Sequence, residues 1–154
     1  MLKTTKANFG IYLLQIIAPV QFRIGIKRFA DVEFPKGCYY YAGSAQKNLR
    51  QRLERHLRKD KKIHWHIDHL TTHPELTISA VYIFNEKGKE FESTLVDELV
   101  RSNFANYSVD GFGNSDTKES RTHLLYSKKK IAYSHLCSLY QDTVRFIPSS
   151  NDTF

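Results

Sequence analysis

The stretch Gly10-Ile11-Tyr12-Leu13-Leu14-Gln15-Ile16-Ile17 decides the fold. Successive side chains of a strand point to opposite faces. Ile11, Leu13 and Ile17 therefore fall on one face, and Tyr12, Leu14 and Ile16 on the other. A strand that is apolar on both faces has to be buried on both, which predicts a central strand.

Outward from it, Gln21 to Lys27 alternates, with Phe22, Ile24 and Ile26 inward, and predicts a half-exposed strand. Pro35 and Gly37 mark a turn before a third strand, Cys38 to Ala42, which contains three consecutive tyrosines. Helices are expected over 47–59 and 63–70, a strand over 76–84, a turn over 85–88 and a helix over 89–102. The polar segment 106–120 reads as loop, 123–126 as a short strand, and 129–141 as a last helix. Residues 1–142 are expected to form one domain and 143–154 a flexible tail. The fold class implied is α+β, a small and mostly antiparallel sheet flanked by helices, with the Gly10 and Tyr41 strands adjacent.

Length and composition suit a globular domain: 154 residues, 41% hydrophobic and 25% charged. Lys and Arg outnumber Asp and Glu by 23 to 16, a net charge of +7, which points to a polyanionic partner. Between Lys47 and Lys62 stand eight basic residues and two acidic ones, so six of the net charges lie in one segment. The plainer reading of that run is a solvated helix face. Cys38 and Cys137 are the only cysteines, which argues against a disulfide framework or a cysteine zinc site. No run is long enough to span a membrane and no signal-peptide cleavage pattern follows Ile17, so a soluble, cytoplasmic location is expected, with no membrane partner.

Two short triplets carry chemistry. The first strand opens with Gly10-Ile11-Tyr12, and the third ends with Tyr41-Ala42-Gly43, followed by Ser44 and a basic helix. In this the sequence resembles the GIY-YIG nuclease superfamily. It is similar in particular to a branch found in some proteins fused to endonuclease III, through Phe34-Pro35-Lys36-Gly37, His64-Trp65-His66-Ile67-Asp68 and Gly111-Phe112-Gly113-Asn114-Ser115-Asp116. The similarity runs from about Phe9 to Tyr126. Relatives in that branch commonly carry a Cys pair after the Ser-Asp loop, and this chain has none there. The superfamily's terminal Asn has no clear match among Asn103, Asn106 and Asn114.

The resemblance implies a metal-dependent endonuclease that hydrolyses phosphodiester bonds in DNA, with RNA as a second candidate substrate. It aligns the superfamily's catalytic Arg with Arg52, places His56 where relatives have Tyr or His, and aligns the metal-binding Glu with Glu92. It favours Tyr12 as the base that takes a proton from the attacking water, with Tyr41 orienting water or phosphate; these roles are exchangeable. An ordinary tyrosine titrates near 10, so nearby Arg52 and metal are expected to lower Tyr12. One Mg²⁺ or Mn²⁺ ion, mostly water-ligated, would need only a single carboxylate.

Helical geometry bears on the same residues. Leu49, Leu53 and Leu57 form a core-facing stripe, with Arg52 and His56 together along one edge. Arg50 lies near the opposite edge, and Arg55 and Arg58 point away to solvent. Lys47, Arg50, Arg55, Arg58, Lys59, Lys61 and Lys62 are then the candidates for gripping backbone phosphates. The plainer reading of Arg52 is a snorkelling side chain. In the later helix, Phe91, Leu95, Val96, Leu99 and Val100 span an arc of about 180° with Glu92 near its centre. A carboxylate there needs a metal, or a salt bridge to Arg52 or another base.

Ser44, His64, His66 and Asn114 are candidates for the site's rim, with Trp65 expected in the core. His66, His69 and His73 would share a helix face and could bind zinc if the helix reached them. Two further readings compete with the nuclease: a nucleic-acid-binding module with little or no cleavage, and a partner-binding domain whose charge is only solvation. Sequence leaves the oligomeric state open.

Overall fold

Gly10–Ala18 (β1) lies in the middle of a six-stranded sheet in the computed structural model of the protein, which describes residues 8–113 and 121–148. The other strands are Gly37–Ala45 (β2), Thr77–Asn85 (β3), Asn106–Tyr107 (β4), Leu124–Ser127 (β5) and Val144–Phe146 (β6). Their order is β4-β5-β2-β1-β3-β6, and every pair is antiparallel. Helices Leu49–Leu57 (α1), Asp68–Thr71 (α2), Phe91–Arg101 (α3) and Tyr133–Leu139 (α4) flank the sheet. This is the expected α+β class, with the Gly10 and Tyr41 strands paired.

The strand alternation sorts the core into two clusters. Tyr12, Leu14, Ile16, Tyr39 and Tyr41 pack with Leu49 and Leu53 of α1 and Leu70 of α2. Ile11, Leu13, Tyr40 and Ala42 pack with Leu95, Val96 and Leu99 of α3 and Leu136 of α4. The three tyrosines thus divide between faces because neighbours on a strand must. Gln15, the one polar residue of the opening stretch, is buried where the β1–β3 register shifts. Its amide donates to Ser79 Oγ and its carbonyl accepts from Tyr40 Oη, both at 2.8 Å, while Tyr40 Oη accepts from the Ile131 N–H at 2.7 Å. A buried amide is tolerated there because both its ends are satisfied.

Several expectations are corrected. Residues 21–27 form no extended strand: Phe22 makes one bridge to Phe34 and Lys27–Phe29 close a short 3-10 turn. The inward alternation was right, since Phe22 and Ile24 are buried, but both edges of β1 are already taken by β2 and β3. The helix expected over 63–70 shrinks to Asp68–Thr71. The segment expected to be loop from 106 holds the two-residue strand β4, paired with β5. The tail expected from residue 143 begins instead with Thr143 buried and β6 paired to β3. Asn114 and Asp116 lie outside the described residues. Among the described residues no helix is long and apolar enough to cross a membrane.

Candidate active site

The β1–β2 register sets Tyr12 directly opposite Gly43, and Gly10 opposite Ala45. Each glycine answers a close approach. A Cβ on Gly10 would stand 2.6 Å from the Phe84 carbonyl oxygen, and one on Gly43 would collide with the end of the Tyr12 ring. The two triplets are therefore one packing unit, in which the Tyr12 phenol crosses Gly43. That phenol is held in place, so it cannot swing aside cheaply. Gly43→Ala is expected to cost about 1–3 kcal/mol through overpacking, read as a lowered urea midpoint, and to pull Tyr12 off its partner.

The partner is His56. Tyr12 Oη lies 2.7 Å from His56 Nε2 in a buried contact, and the two rings are 5.2 Å apart. Tyr41 lies near the same imidazole, ring to ring at 6.4 Å. Burial pushes the His56 ring down to about 3, aided by the nearby Lys61, Arg52 and Arg55 cations, so the imidazole is neutral at physiological pH. Its Nδ1 is buried and has no hydrogen-bond partner. Burial raises both phenols; for Tyr12 this outweighs the opposing pull of Arg52. The expected lowering of Tyr12 by Arg52 is thus present in sign but loses to desolvation.

Stability should follow His56. An unfolded histidine titrates near 6.5, and below that pH the unfolded chain takes up a proton that folded His56 refuses. Stability that is full above pH 6.5 is therefore lost as pH falls toward 3, at up to about 1.4 kcal/mol per pH unit. His56→Gln, which cannot titrate, should flatten that slope in urea unfolding series.

Around this pair lies a cleft of about 430 Å³ whose lining includes Tyr12, Tyr41, Ser44, Arg52, His56 and Glu92. Arg52 Nη1 donates to the Ser44 carbonyl at 3.2 Å, which anchors the guanidinium at the end of β2. His64 and His66 line the cleft too, and His66 Nδ1 accepts from the Gly113 N–H at 3.0 Å. Glu92, in the first turn of α3, is buried as expected. Among the described residues its partner is a histidine and not Arg52 or a lysine: His123 Nδ1 lies 2.6 Å from Glu92 Oε1, and both side chains are nearly inaccessible. His123 lines the cleft and its Nε2 is buried without a partner. Sequence reasoning missed His123 because it stands alone before β5, with no local pattern to mark it. Gln46 and Lys89 also line the cleft unforeseen.

The basic run divides into two groups. Lys47, Arg58 and Lys62 are exposed, as a phosphate-gripping surface requires. Arg50 pairs with Glu54 at 3.2 Å. Arg55 and Lys61 instead turn inward, against expectation, and Lys59, though exposed, spends its ammonium on backbone carbonyls. Arg55 forms a two-pronged ion pair with the fully buried Asp68, at 2.9 and 2.8 Å. Lys61 Nζ donates to the Arg55 and His56 carbonyls at 3.0 and 2.9 Å, and Lys59 Nζ to those of His73 and Leu76. For Lys61 the cause is that α1 stops at Leu57 and the chain doubles back, bringing the ammonium under the helix's open carbonyls. Burial lowers Lys61 to about 8 and lowers Lys59 as well.

Asp68 is consequently a structural hub. Its carboxylate also accepts the N–H groups of His64 and Trp65 at 2.8 and 3.0 Å. Burial pushes its carboxyl up, but the hydrogen bonds from Arg55, Trp65 and His64 win and hold it at about 2. Trp65, expected in the core, is 39% exposed at the cleft.

Among the described residues no group of three or more His, Cys, Asp or Glu side chains is arranged to hold a metal. His66 and His73 both lie outside α2, so the helical histidine face does not form. The described residues do not fit a zinc ion held by protein ligands alone. A hard, mostly hydrated cation fits Glu92, the one carboxylate among the described residues that line the cleft.

Fold and cleft together define a small α+β domain with a polar site at one end of its two central strands. The chain belongs to the DUF123 family, described as a domain of unknown function, which it matches over residues 11–145. No curated protein and no solved structure matches it.

Proposed function

We propose that this chain is a metal-dependent endonuclease that hydrolyses phosphodiester bonds in DNA. The observation that carries the reading is the convergence of the Tyr12–His56 hydrogen bond, Arg52 and Glu92 on one cleft. It is a proton-handling pair, a fixed cation and a carboxylate, the three things that phosphodiester hydrolysis by water needs. Lys47, Arg58 and Lys62 extend the positive surface beyond the cleft and would hold the backbone.

Arg52 binds the scissile phosphate and matches the negative charge that grows on its oxygens. Water attacks phosphorus, and its proton passes to Tyr12 Oη as the phenol's own proton passes to His56 Nε2. The phenol is too weak an acid to stand as phenolate, so it works as a relay and not as a preformed base. A bound phosphate raises the basicity of His56 by adding negative charge beside it. The phosphorus–oxygen bond to the leaving nucleoside breaks, and its oxygen takes a proton from solvent. Tyr41 orients the water or the phosphate. Glu92 would hold one Mg²⁺ or Mn²⁺ ion, which supplies Lewis-acid stabilisation of the phosphate when bound.

One observation favours a second reading, a nucleic-acid-binding module of the same fold without cleavage: Glu92 already has a partner in His123. Wild-type cutting separates the two, and Glu92→Gln tests whether the pairing with His123 leaves Glu92 a task in cleavage. The amide oxygen still accepts from His123, so the fold should keep its melting temperature while the charge is lost. Cleavage in Mg²⁺ should fall about 10²–10³-fold. Unchanged cleavage would leave Glu92 with only the task of positioning His123.

A further inference from the structure

Trp65 is the only tryptophan in the chain, and it is held in the open at the cleft. A large aromatic side chain normally gains by burial, yet here the fold fixes it half in water. The bracing is specific. The Trp65 and His64 N–H groups donate to buried Asp68, and the same carboxylate grips Arg55. The Arg55 and Arg52 guanidinium carbons stand 4.5 and 4.7 Å from the indole centroid, and the His56 ring 6.0 Å. These three side chains all come from α1, and the indole beside them keeps 39% of its surface exposed.

An exposed, rigid indole beside an arginine placed for phosphate fits one ligand chemistry well. An unpaired nucleobase offers a π face to stack, with its phosphate one bond-length series away for Arg52. A base within a continuous duplex is covered on both faces and has to be extruded first. We infer that Trp65 is the stacking platform for an unpaired base adjoining the phosphate held by Arg52. The site thereby prefers single-stranded or flipped-out nucleotides over continuous duplex. This rests on the phosphodiesterase reading only for the place of the phosphate; stacking itself requires no cleavage.

Emission excited at the red edge, where the nine tyrosines do not absorb, reports on Trp65 alone, which makes the test direct. The protein is titrated in EDTA with an oligothymidylate, with the same strand paired to its complement, and with an abasic strand of equal length. Binding is followed in parallel by anisotropy of labelled DNA. The oligothymidylate should quench Trp65 saturably, while bound duplex and bound abasic strand leave it nearly unchanged. Trp65→Ala, checked for folding by its thermal melt, should lose about 5- to 100-fold in single-strand affinity and little in duplex affinity. Equal quenching by duplex or abasic strand would overturn the inference. So would a Trp65→Ala variant that loses affinity for all three equally, or a failure of the wild type to bind any of them. Stacking without cleavage in Mg²⁺ would overturn only the endonuclease reading, and cleavage with a silent Trp65 only the stacking.

Discussion

Replacing Tyr12 by phenylalanine is expected to lower the rate of DNA cleavage by about 10²–10⁴-fold, the range spanned by a lost general acid–base group. The variant keeps the ring that crosses Gly43, so the β1–β2 packing survives. It removes only the oxygen that lies 2.7 Å from His56 Nε2. Folding should suffer by about 1–3 kcal/mol, because the buried imidazole loses its one partner. Single-turnover cleavage separates the effects: the rate should collapse while DNA affinity, set by Arg52 and the exposed cations, holds. A Tyr12→Phe protein that cuts at the wild-type rate would move the base to Tyr41 and dismiss the relay.

The second large effect concerns stability. Asp68→Ala should destabilise the fold by about 3–5 kcal/mol, the cost of breaking a buried ion pair by removing one partner. The Arg55 guanidinium is only 17% exposed and would keep its charge with no counter-ion. The N–H groups of His64 and Trp65 would lose their acceptor as well. Because Asp68 is held at about 2 against an ordinary 3.8, its contribution is complete above pH 3.8 and fades as pH falls toward 2. Wild type and Asp68→Ala should thus converge in urea stability in strong acid and differ most at neutral pH. The variant should also loosen the Trp65 side of the cleft, visible as a red-shifted tryptophan emission.

Much of this architecture was legible in the sequence, for physical reasons that differ by region. The stretch from Gly10 was decisive because apolarity on both faces leaves a strand only one kind of place. Tyr12 and Gly43 could be singled out in the triplets, but that they meet across the ladder is a fact of register. Glu92 announced itself because a carboxylate within an apolar arc must have a partner; which partner depended on His123, far along the chain in a segment without periodicity. Arg55 was misplaced because helical periodicity sees only the helix. Its solvent face is covered by the chain that returns after Leu57, and Asp68 arrives with it. Trp65 was misplaced for a related reason: the helix that would have turned it inward begins only at Asp68. The strand expected over 21–27 failed because alternation reports burial, not the presence of a free edge to pair with. Residues 144–146 carried too few apolar side chains to be read as the edge strand they form.

Whether this chain cuts DNA decides the endonuclease proposal. The wild-type protein, incubated with branched, single-stranded and duplex DNA, should cleave at least one of them in Mg²⁺ or Mn²⁺ and none in EDTA. Products of the same size in EDTA, or intact substrates of all three kinds with either metal, would contradict it.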